Sequence, residues 1–107
     1  MALPQPRNNN EAKWQVFHQE NPQIYRLVEH FANEVIARGY KHYSINSIFE
    51  RIRWHSQVET RDLDFKLSNS HRPYYARHFM NQNPQHSGFF RTRPVANDNW
   101  EMADAGS

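Results

Sequence analysis

Residues 21–39, NPQIYRLVEHFANEVIARG, carry the clearest helix signal of the chain. Asn21 followed by Pro22 is a typical helix start, because asparagine offers a capping oxygen and proline at the first helical position loses no needed N–H. Apolar side chains then recur at the i, i+3, i+4, i+7 and i+11 spacing of one buried face. They are Ile24, Leu27, Val28, Phe31 and Val35. Gly39 favours the left-handed conformation that ends helices, so the pattern predicts a helix over 22–38.

Two further helices are predicted on either side of this segment. Asn10 is a candidate cap for a helix over 11–20 that turns Trp14 and Phe17 to one side. Beyond Gly39, Ser44 or Asn46 can cap a third helix that runs to about Trp54 with isoleucines inward, and the stretch 47–50 also fits a capping box.

The second half of the chain predicts a small β element and a fourth helix. Leu63, Phe65 and Leu67 alternate with polar residues, as in a half-buried strand. A helix is predicted over 71–82, and 89–93 suits a short strand or hairpin arm. An element order of helices followed by a basic hairpin is typical of a winged helix. The expected fold is therefore mainly α with a small β element (α+β), a winged-helix-like variant with three or four helices and a short basic hairpin.

Length and composition indicate one small domain. The chain has 107 residues, of which 37% are hydrophobic and 14% aromatic, enough for one modest core rich in aromatic rings. The expected division is a flexible tail over 1–10, a globular domain over 11–93 and a flexible acidic tail over 94–107. Cysteine is absent, which excludes disulfides and thiol nucleophiles. No stretch is long and apolar enough for a membrane span, and an intracellular, cytoplasmic protein is expected.

The segment 65–97 contains no Asp or Glu, although the chain has 11 acids. It does contain five cations, namely Lys66, Arg72, Arg77, Arg91 and Arg93. Carboxylates on such a surface would repel phosphate and neutralise neighbouring cations. The segment therefore indicates a surface for nucleic acid, most simply duplex DNA.

Projecting the helix 71–82 at about 100° per residue separates an apolar from a polar side. The polar side has the residue types that contact bases and phosphates, and an ordinary solvated helix face is the alternative interpretation. With the flanking arginines, the predicted nucleic-acid-binding residues are Arg72, Tyr74, Arg77, His78, Asn81, Arg91 and Arg93.

Arg51, Arg53 and Lys66 form a predicted secondary basic edge. In the alternative interpretation, Arg51 or Arg53 pairs with Glu50, Asp62 or Asp64, and Trp54 belongs to the core.

Catalytic and metal-binding patterns are weak. Asp62, Asp64 and Lys66 form an Asp-x-Asp-x-Lys string that can in principle hold Mg²⁺ for a nuclease, but an exposed strand face has the same pattern. The seven histidines lack metal-ligand spacing. We therefore expect no catalytic residues, no metal and no cofactor.

Several short motifs between residues 14 and 93 resemble uncharacterised small proteins encoded by phages and prophages. The motifs are Asn21-Pro22, Gly39, Tyr43-Ser44-Ile45, Ile52-Arg53-Trp54, Thr60, Phe65-Lys66-Leu67, Asn69 and Tyr75-Ala76-Arg77. The resemblance implies an origin in a mobile element and brings no activity, cofactor or catalytic residue with it.

Three functions follow, in order of preference. The first is a non-enzymatic DNA-binding module, such as a phage or mobile-element regulator, with helix 71–82 in a groove and Arg91 and Arg93 on the backbone. The second is a protein-binding accessory factor or inhibitor of a host nucleic-acid enzyme, to which Trp100 in the acidic tail can contribute a contact. The third is a small metal-dependent nuclease. A winged helix that reads a palindrome is normally a dimer, so a homodimer is one expectation for the assembly.

Overall fold

The computed structural model describes residues 3–91, which form four α-helices around an aromatic core. The helices are α1 (Asn9–Glu20), α2 (Pro22–Ala37), α3 (Ile45–Trp54) and α4 (Arg72–Gln82). A π-helical turn, His55–Glu59, continues α3, and 3-10 turns lie at Asn69–His71 and Pro84–His86. No helix among the described residues is long and apolar enough to cross a membrane. The prediction of a mainly helical fold is confirmed.

Helix α1 begins two residues before the predicted start, because Asn8 rather than Asn10 caps it. The Asn8 Oδ1 atom accepts a hydrogen bond from the Glu11 backbone N–H at 2.8 Å. At the C-terminal end of α1, Asn21 is the capping residue: its Nδ2 atom donates a hydrogen bond to the Phe17 carbonyl at 3.0 Å. Asn21 therefore completes α1, and the prediction that its side chain caps α2 is wrong.

Helix α2 agrees with its sequence pattern. Pro22 is its first residue, and Ile24, Val28 and Phe31 are buried on one face. Gly39 adopts a φ of 98° immediately after the helix, which is the left-handed conformation expected of a glycine stop.

Helix α3 is capped by Ser44, whose Oγ accepts from the Asn46 N–H at 3.1 Å. Ile45, Ile48 and Ile52 are buried as predicted. Trp54 is not part of the core, because 57% of its surface is exposed. The interpretation that placed it in the core is therefore wrong.

The predicted strand over 63–67 does not form. The chain turns at Leu63 and Asp64, and only Leu67 is buried. Backbone carbonyls of this segment accept hydrogen bonds from side chains rather than from a neighbouring strand. Gln57 Nε2 in the π-helical turn donates to the Phe65 carbonyl at 3.3 Å, and Arg53 Nη2 donates to the Leu67 carbonyl at 2.7 Å. Alternation of apolar residues produces a strand only where a partner edge exists, and residues 3–91 offer none to this segment.

The predicted strand or hairpin arm over 89–93 is likewise not formed by residues 89–91, the part of it that the structure describes. Phe90 forms an isolated parallel bridge with Tyr43, and Arg93 lies outside the described residues. Residues 3–91 contain no β-strands beyond this bridge. The small β element and the winged-helix-like hairpin are therefore corrected to an all-helical arrangement with one bridge.

The segment before α1, expected to be part of a flexible tail, contacts the domain. Leu3 packs against the core, and the Pro4 carbonyl accepts a hydrogen bond from the Gln15 side chain. The predicted acidic tail over 94–107 lies outside the described residues.

Arg53 fixes the segment that leads into α4. Its Nη2 atom donates to the Leu67 carbonyl at 2.7 Å and to the Asn69 Oδ1 at 2.6 Å, while its Nη1 pairs with Glu50. Arg51 instead pairs with Glu59 at 3.2 Å and lies over the ring of Phe31, whereas Lys66 is exposed. Both arginines of the predicted secondary basic edge therefore make intramolecular contacts. Of the three carboxylates proposed as their partners, Glu50, Asp62 and Asp64, Glu50 forms an ion pair, with Arg53.

Replacing Arg53 and Arg51 separately tests this difference. We expect Arg53→Ala to lower the free energy of unfolding by about 2 kcal/mol, because charged hydrogen bonds to a loop carbonyl and amide are lost. Arg51→Ala, which removes an exposed ion pair, should cost less than about 1 kcal/mol. Equilibrium unfolding in urea measures both, and equal losses would contradict the anchoring role of Arg53.

Candidate nucleic-acid interface

Helix α1 covers the polar side of α4. The Tyr74 side chain is only 6% exposed and stacks on Trp14 with ring centroids 5.8 Å apart. Its hydroxyl donates to Asn8 Oδ1 at 3.2 Å. The prediction that Tyr74 lies on an open face is therefore wrong, because α1 packs against this part of the side of α4 that is polar in projection; Asn81 and Gln82 at the end of the helix are exposed.

His78, one turn further along α4, belongs to the same packed region. Its ring lies 4.6 Å from Tyr25, 5.0 Å from His18 and 5.7 Å from Trp14, measured between centroids. Burial, and secondly the charge of His18, lower the pKa of His78. Burial also lowers the pKa of His18, whose Nδ1 atom has no hydrogen-bond partner among the described residues. Packing therefore favours the neutral form of both imidazoles over the charged form.

A groove of about 840 Å³ lies between α1, α4 and the segment 3–7, with Pro22 and Tyr25 of α2 also lining it. Tyr74, Arg77, His78 and Asn81 all line it, so the structure does bring these four predicted residues together. Arg77 is half-buried and lies over the Tyr74 ring at 5.9 Å. We call this the α1–α4 groove.

The α1–α4 groove is poorly suited to a phosphate backbone. Arg7 at its wall pairs with Glu11 at 3.1 Å, and this carboxylate itself lines the groove. A carboxylate there repels phosphate, and the pairing offsets the charge of Arg7. The rings of Trp14 and Tyr74 are buried against each other, so neither offers a free face for a base.

Arg72 at the start of α4 also has intramolecular partners. Its Nη1 atom bonds to Asn46 Oδ1, and its Nε atom donates to the Asn69 carbonyl at 2.9 Å. These bonds tie α4 to the beginning of α3, so Arg72 positions helices in this structure.

Arg91 lies in a different environment from the other predicted contacts. The Tyr43 N–H donates to the Phe89 carbonyl at 3.1 Å, and His42 Nδ1 lies 3.1 Å from the Gly88 carbonyl. These contacts place the exposed Arg91 beside the connection between α2 and α3. That connection carries three exposed basic residues of its own, Arg38, Lys41 and His42.

We name Arg38, Lys41, His42 and Arg91 the basic edge. Within residues 3–91, none of the four forms an ion pair with a carboxylate. Tyr40 lies among them with about half of its surface exposed, and its ring meets Tyr43 edge-on at 5.5 Å. Exposed cations around a tyrosine can hold phosphates while the ring contacts a sugar or base.

Arg38, Lys41 and His42 of the basic edge were not among the predicted binding residues, although a signal for them exists in the sequence. Residues 35–49 contain no Asp or Glu, so they form a second, shorter acid-free segment. The Tyr43–Phe90 bridge brings this segment next to the one that contains Arg91. No local pattern indicates that the two acid-free segments meet.

The acidic string behind the nuclease hypothesis shows no convergent site. The Asp62 carboxylate accepts a hydrogen bond from the Asp64 N–H at 3.2 Å, and both side chains are exposed on a turn. The part of the chain that the structure describes has no group of three or more His, Asp or Glu side chains placed to hold a metal ion.

Comparison of this chain with protein-family models, with curated proteins and with solved structures found no match. The resemblance to phage-encoded proteins stays a prediction.

The burial of Tyr74 can be separated from a binding role by comparing it with Asn81, which is exposed. We expect Tyr74→Ala to lower the free energy of unfolding by about 3 kcal/mol or more, because a large ring leaves the core. Asn81→Ala should change it by no more than about 0.5 kcal/mol. Chemical denaturation followed by circular dichroism measures both. A Tyr74→Ala protein as stable as the wild type would show that α1 does not cover α4.

The two packed imidazoles predict a loss of stability in acid. Since the folded state lowers the pKa of His18 and His78 below 6.5, the unfolded chain binds protons more readily than the folded one. Stability is therefore full above pH 6.5 and falls as the pH drops below it. Thermal unfolding between about pH 7.5 and pH 5.5 should show a falling midpoint temperature.

His78→Phe keeps an aromatic ring against Tyr25 and removes one titrating group, so its midpoint should fall less steeply with pH. Some dependence will stay, because burial also lowers the pKa of His71. His30→Phe, at an exposed site on α2, is the control for replacing a histidine as such. A His78→Phe profile parallel to that of the wild type would contradict the prediction.

Proposed function

We propose that this protein is a non-enzymatic DNA-binding module that holds the phosphate backbone of duplex DNA with its basic edge. The observation that carries the proposal is the bridge between Tyr43 and Phe90, which joins two acid-free segments at one surface. Arg38, Tyr40, Lys41 and His42 lie within five residues of Tyr43, Arg91 follows Phe90, and all five are exposed. Within residues 3–91 no carboxylate pairs with the four basic side chains.

The mode of binding differs from that of a winged helix. Helix α4 is packed against α1 and is not offered to a major groove, so Arg91 stays in the proposed site while Tyr74, His78 and Arg72 serve the fold. Contacts from cations to phosphates give affinity without reading base edges. The proposal is therefore of weak, sequence-independent binding, with a dissociation constant of about 10⁻⁴–10⁻⁶ M at physiological salt. We further propose that the protein is a phage or mobile-element regulator. The resemblance of its sequence motifs to small phage-encoded proteins supports this part of the proposal.

Salt dependence is the primary test. Three Lys or Arg contacts predict that the logarithm of the binding constant falls with the logarithm of salt concentration with a slope of about −2.7. Fluorescence anisotropy of a labelled duplex, titrated at several salt concentrations, measures this slope. The double variant Arg38→Ala with Arg91→Ala should reduce its magnitude by about 2.

Arg26→Ala provides a matched control. Arg26 is also exposed and has the same charge as Arg38. It lies on α2 twelve residues before Arg38, which separates the two residues by about 18 Å along the helix axis. It should leave the slope nearly unchanged. Equal effects of Arg26→Ala and Arg38→Ala would show that only net charge matters and would contradict a defined edge. No binding at low salt would contradict the proposal and favour a protein-binding accessory factor.

A further inference from the structure

The α1–α4 groove has the size and the lining of a site for a small molecule. Pockets that enclose small ligands have volumes of about 300–1,000 Å³. This groove measures about 840 Å³. Leu3, Pro4, Tyr25 and Met80 give it apolar surface, and a few polar side chains lie among them. Such a combination lets a ligand bury apolar area while the polar groups orient it.

The wall that the segment 3–7 forms is held against the domain along its length. Leu3 packs against the core, and the Pro4 carbonyl accepts a hydrogen bond from the Gln15 side chain. The Arg7 N–H donates to Glu11 Oε1 at 3.0 Å. These contacts make the groove a built part of the fold.

The charged side chains of the groove leave one positive charge in excess. Among the described residues, Arg7, Glu11 and Arg77 are the ones that line it with a charge, while packing favours the neutral form of His18 and His78. The Glu11 carboxylate is directed to Arg7, since its Oε1 accepts both the Nε and the backbone N–H of that residue.

Arg77 is the cation that gains most from a bound anion. Burial, and secondly the charge of Arg7, lower the pKa of Arg77, and the opposing effects of Tyr74 and Glu11 are smaller. The surroundings therefore disfavour the positive charge of this half-buried guanidinium. An anion beside it would offset both the burial and the repulsion from Arg7.

A carboxylate fits this position better than a phosphate. The planar guanidinium group can donate two parallel hydrogen bonds to the two oxygens of a carboxylate. One carboxylate also balances the single excess charge, whereas a phosphate with two negative charges would exceed it and be repelled by Glu11.

Aromatic rings line the groove next to Arg77. The rings of His18, Tyr25 and His78 lie 4.6–5.7 Å from one another, measured between centroids, and all three are partly exposed. His78 directly follows Arg77 on α4. Edge-to-face and offset contacts between aromatic rings add to the free energy gained from burying apolar area. A ligand with an aromatic ring therefore suits this part of the groove better than an aliphatic one.

We propose that the α1–α4 groove binds a small aromatic carboxylate, with the carboxylate on Arg77 and the ring against Tyr25 and His78. No residue of the basic edge lines the groove, so the proposal does not depend on DNA binding.

Three probes separate the contribution of the ring from that of the charge. Phenylacetate has both, phenylacetamide keeps the ring without the charge, and cyclohexylacetate keeps the charge without an aromatic ring. NMR titration of the ¹⁵N-labelled full chain with each probe, up to about 10 mM, measures the dissociation constants and identifies the amides that shift. We expect phenylacetate to bind with a dissociation constant of about 1 mM or lower, at least about fivefold tighter than either of the other probes. The largest shifts should lie at groove residues.

Asn81→Asp tests the position of the carboxylate without disturbing the core. Asn81 is exposed, lines the groove and follows Arg77 by one turn of α4, so the new carboxylate would compete with that of the ligand for the guanidinium. It should weaken phenylacetate binding at least about fivefold and leave the weaker binding of phenylacetamide nearly unchanged. Asn33→Asp, the same substitution at an exposed site on α2, is the matched control and should change neither.

Arg77→Gln should remove the preference for phenylacetate over phenylacetamide, and Arg26→Gln on α2 should keep it. Circular dichroism shows whether the Arg77 variant is folded, and the comparison of the three probes on the wild type does not require that variant. Equal affinity for the acid and the amide would overturn the proposal. So would shifts confined to residues outside the groove, or the absence of saturable binding by phenylacetate.

Discussion

The ring of Tyr75 is the contact on which the arrangement of the four helices depends. It is fully buried on α4 and lies against rings from each of the other helices. Its centroid is 5.6 Å from Trp14 and 5.8 Å from His18 of α1, 6.4 Å from Tyr25 of α2 and 6.1 Å from Phe49 of α3. A small domain with few aliphatic residues can bury enough area only by using such large rings. Burial also raises the pKa of Tyr75, so this central residue stays neutral.

Because much of the core consists of aromatic and imidazole side chains, only some parts of the fold could be predicted from the sequence. The face of α2 could be predicted because Ile24, Val28 and Phe31 are apolar without ambiguity. Tyr74 and His78 are equally suited to a core or a surface, so the projection of α4 assigned both to a polar side of which only the far end, at Asn81 and Gln82, is exposed. A helix that is buried on most sides normally has apolar residues on all of its faces, and the sequence of α4 does not show that pattern.

The errors between α3 and α4 have a different physical origin. Leu63 and Leu67 carry the alternation of a strand, but a strand needs a neighbouring edge, and here the guanidinium of Arg53 occupies the Leu67 carbonyl. The basic edge was missed for a related reason, since it depends on a contact between residues 43 and 90 that are far apart in sequence. Local patterns describe what a segment can form. Which partner it meets is decided by the packing of the whole chain.

The pairing of the first helix with the last has a consequence for how the domain folds. His18 and His78 are in contact although 60 residues separate them, and Trp14 and Tyr75 are in contact across a similar distance. Closing so long a loop has an entropic cost that only the completed aromatic cluster offsets. Trp14 is the one buried apolar residue that α1 contributes to the core, and its ring covers Tyr75 and lies close to His78. Detachment of α1 would therefore uncover the ring on which the other helices pack, so local opening at the first helix exposes the centre of the core.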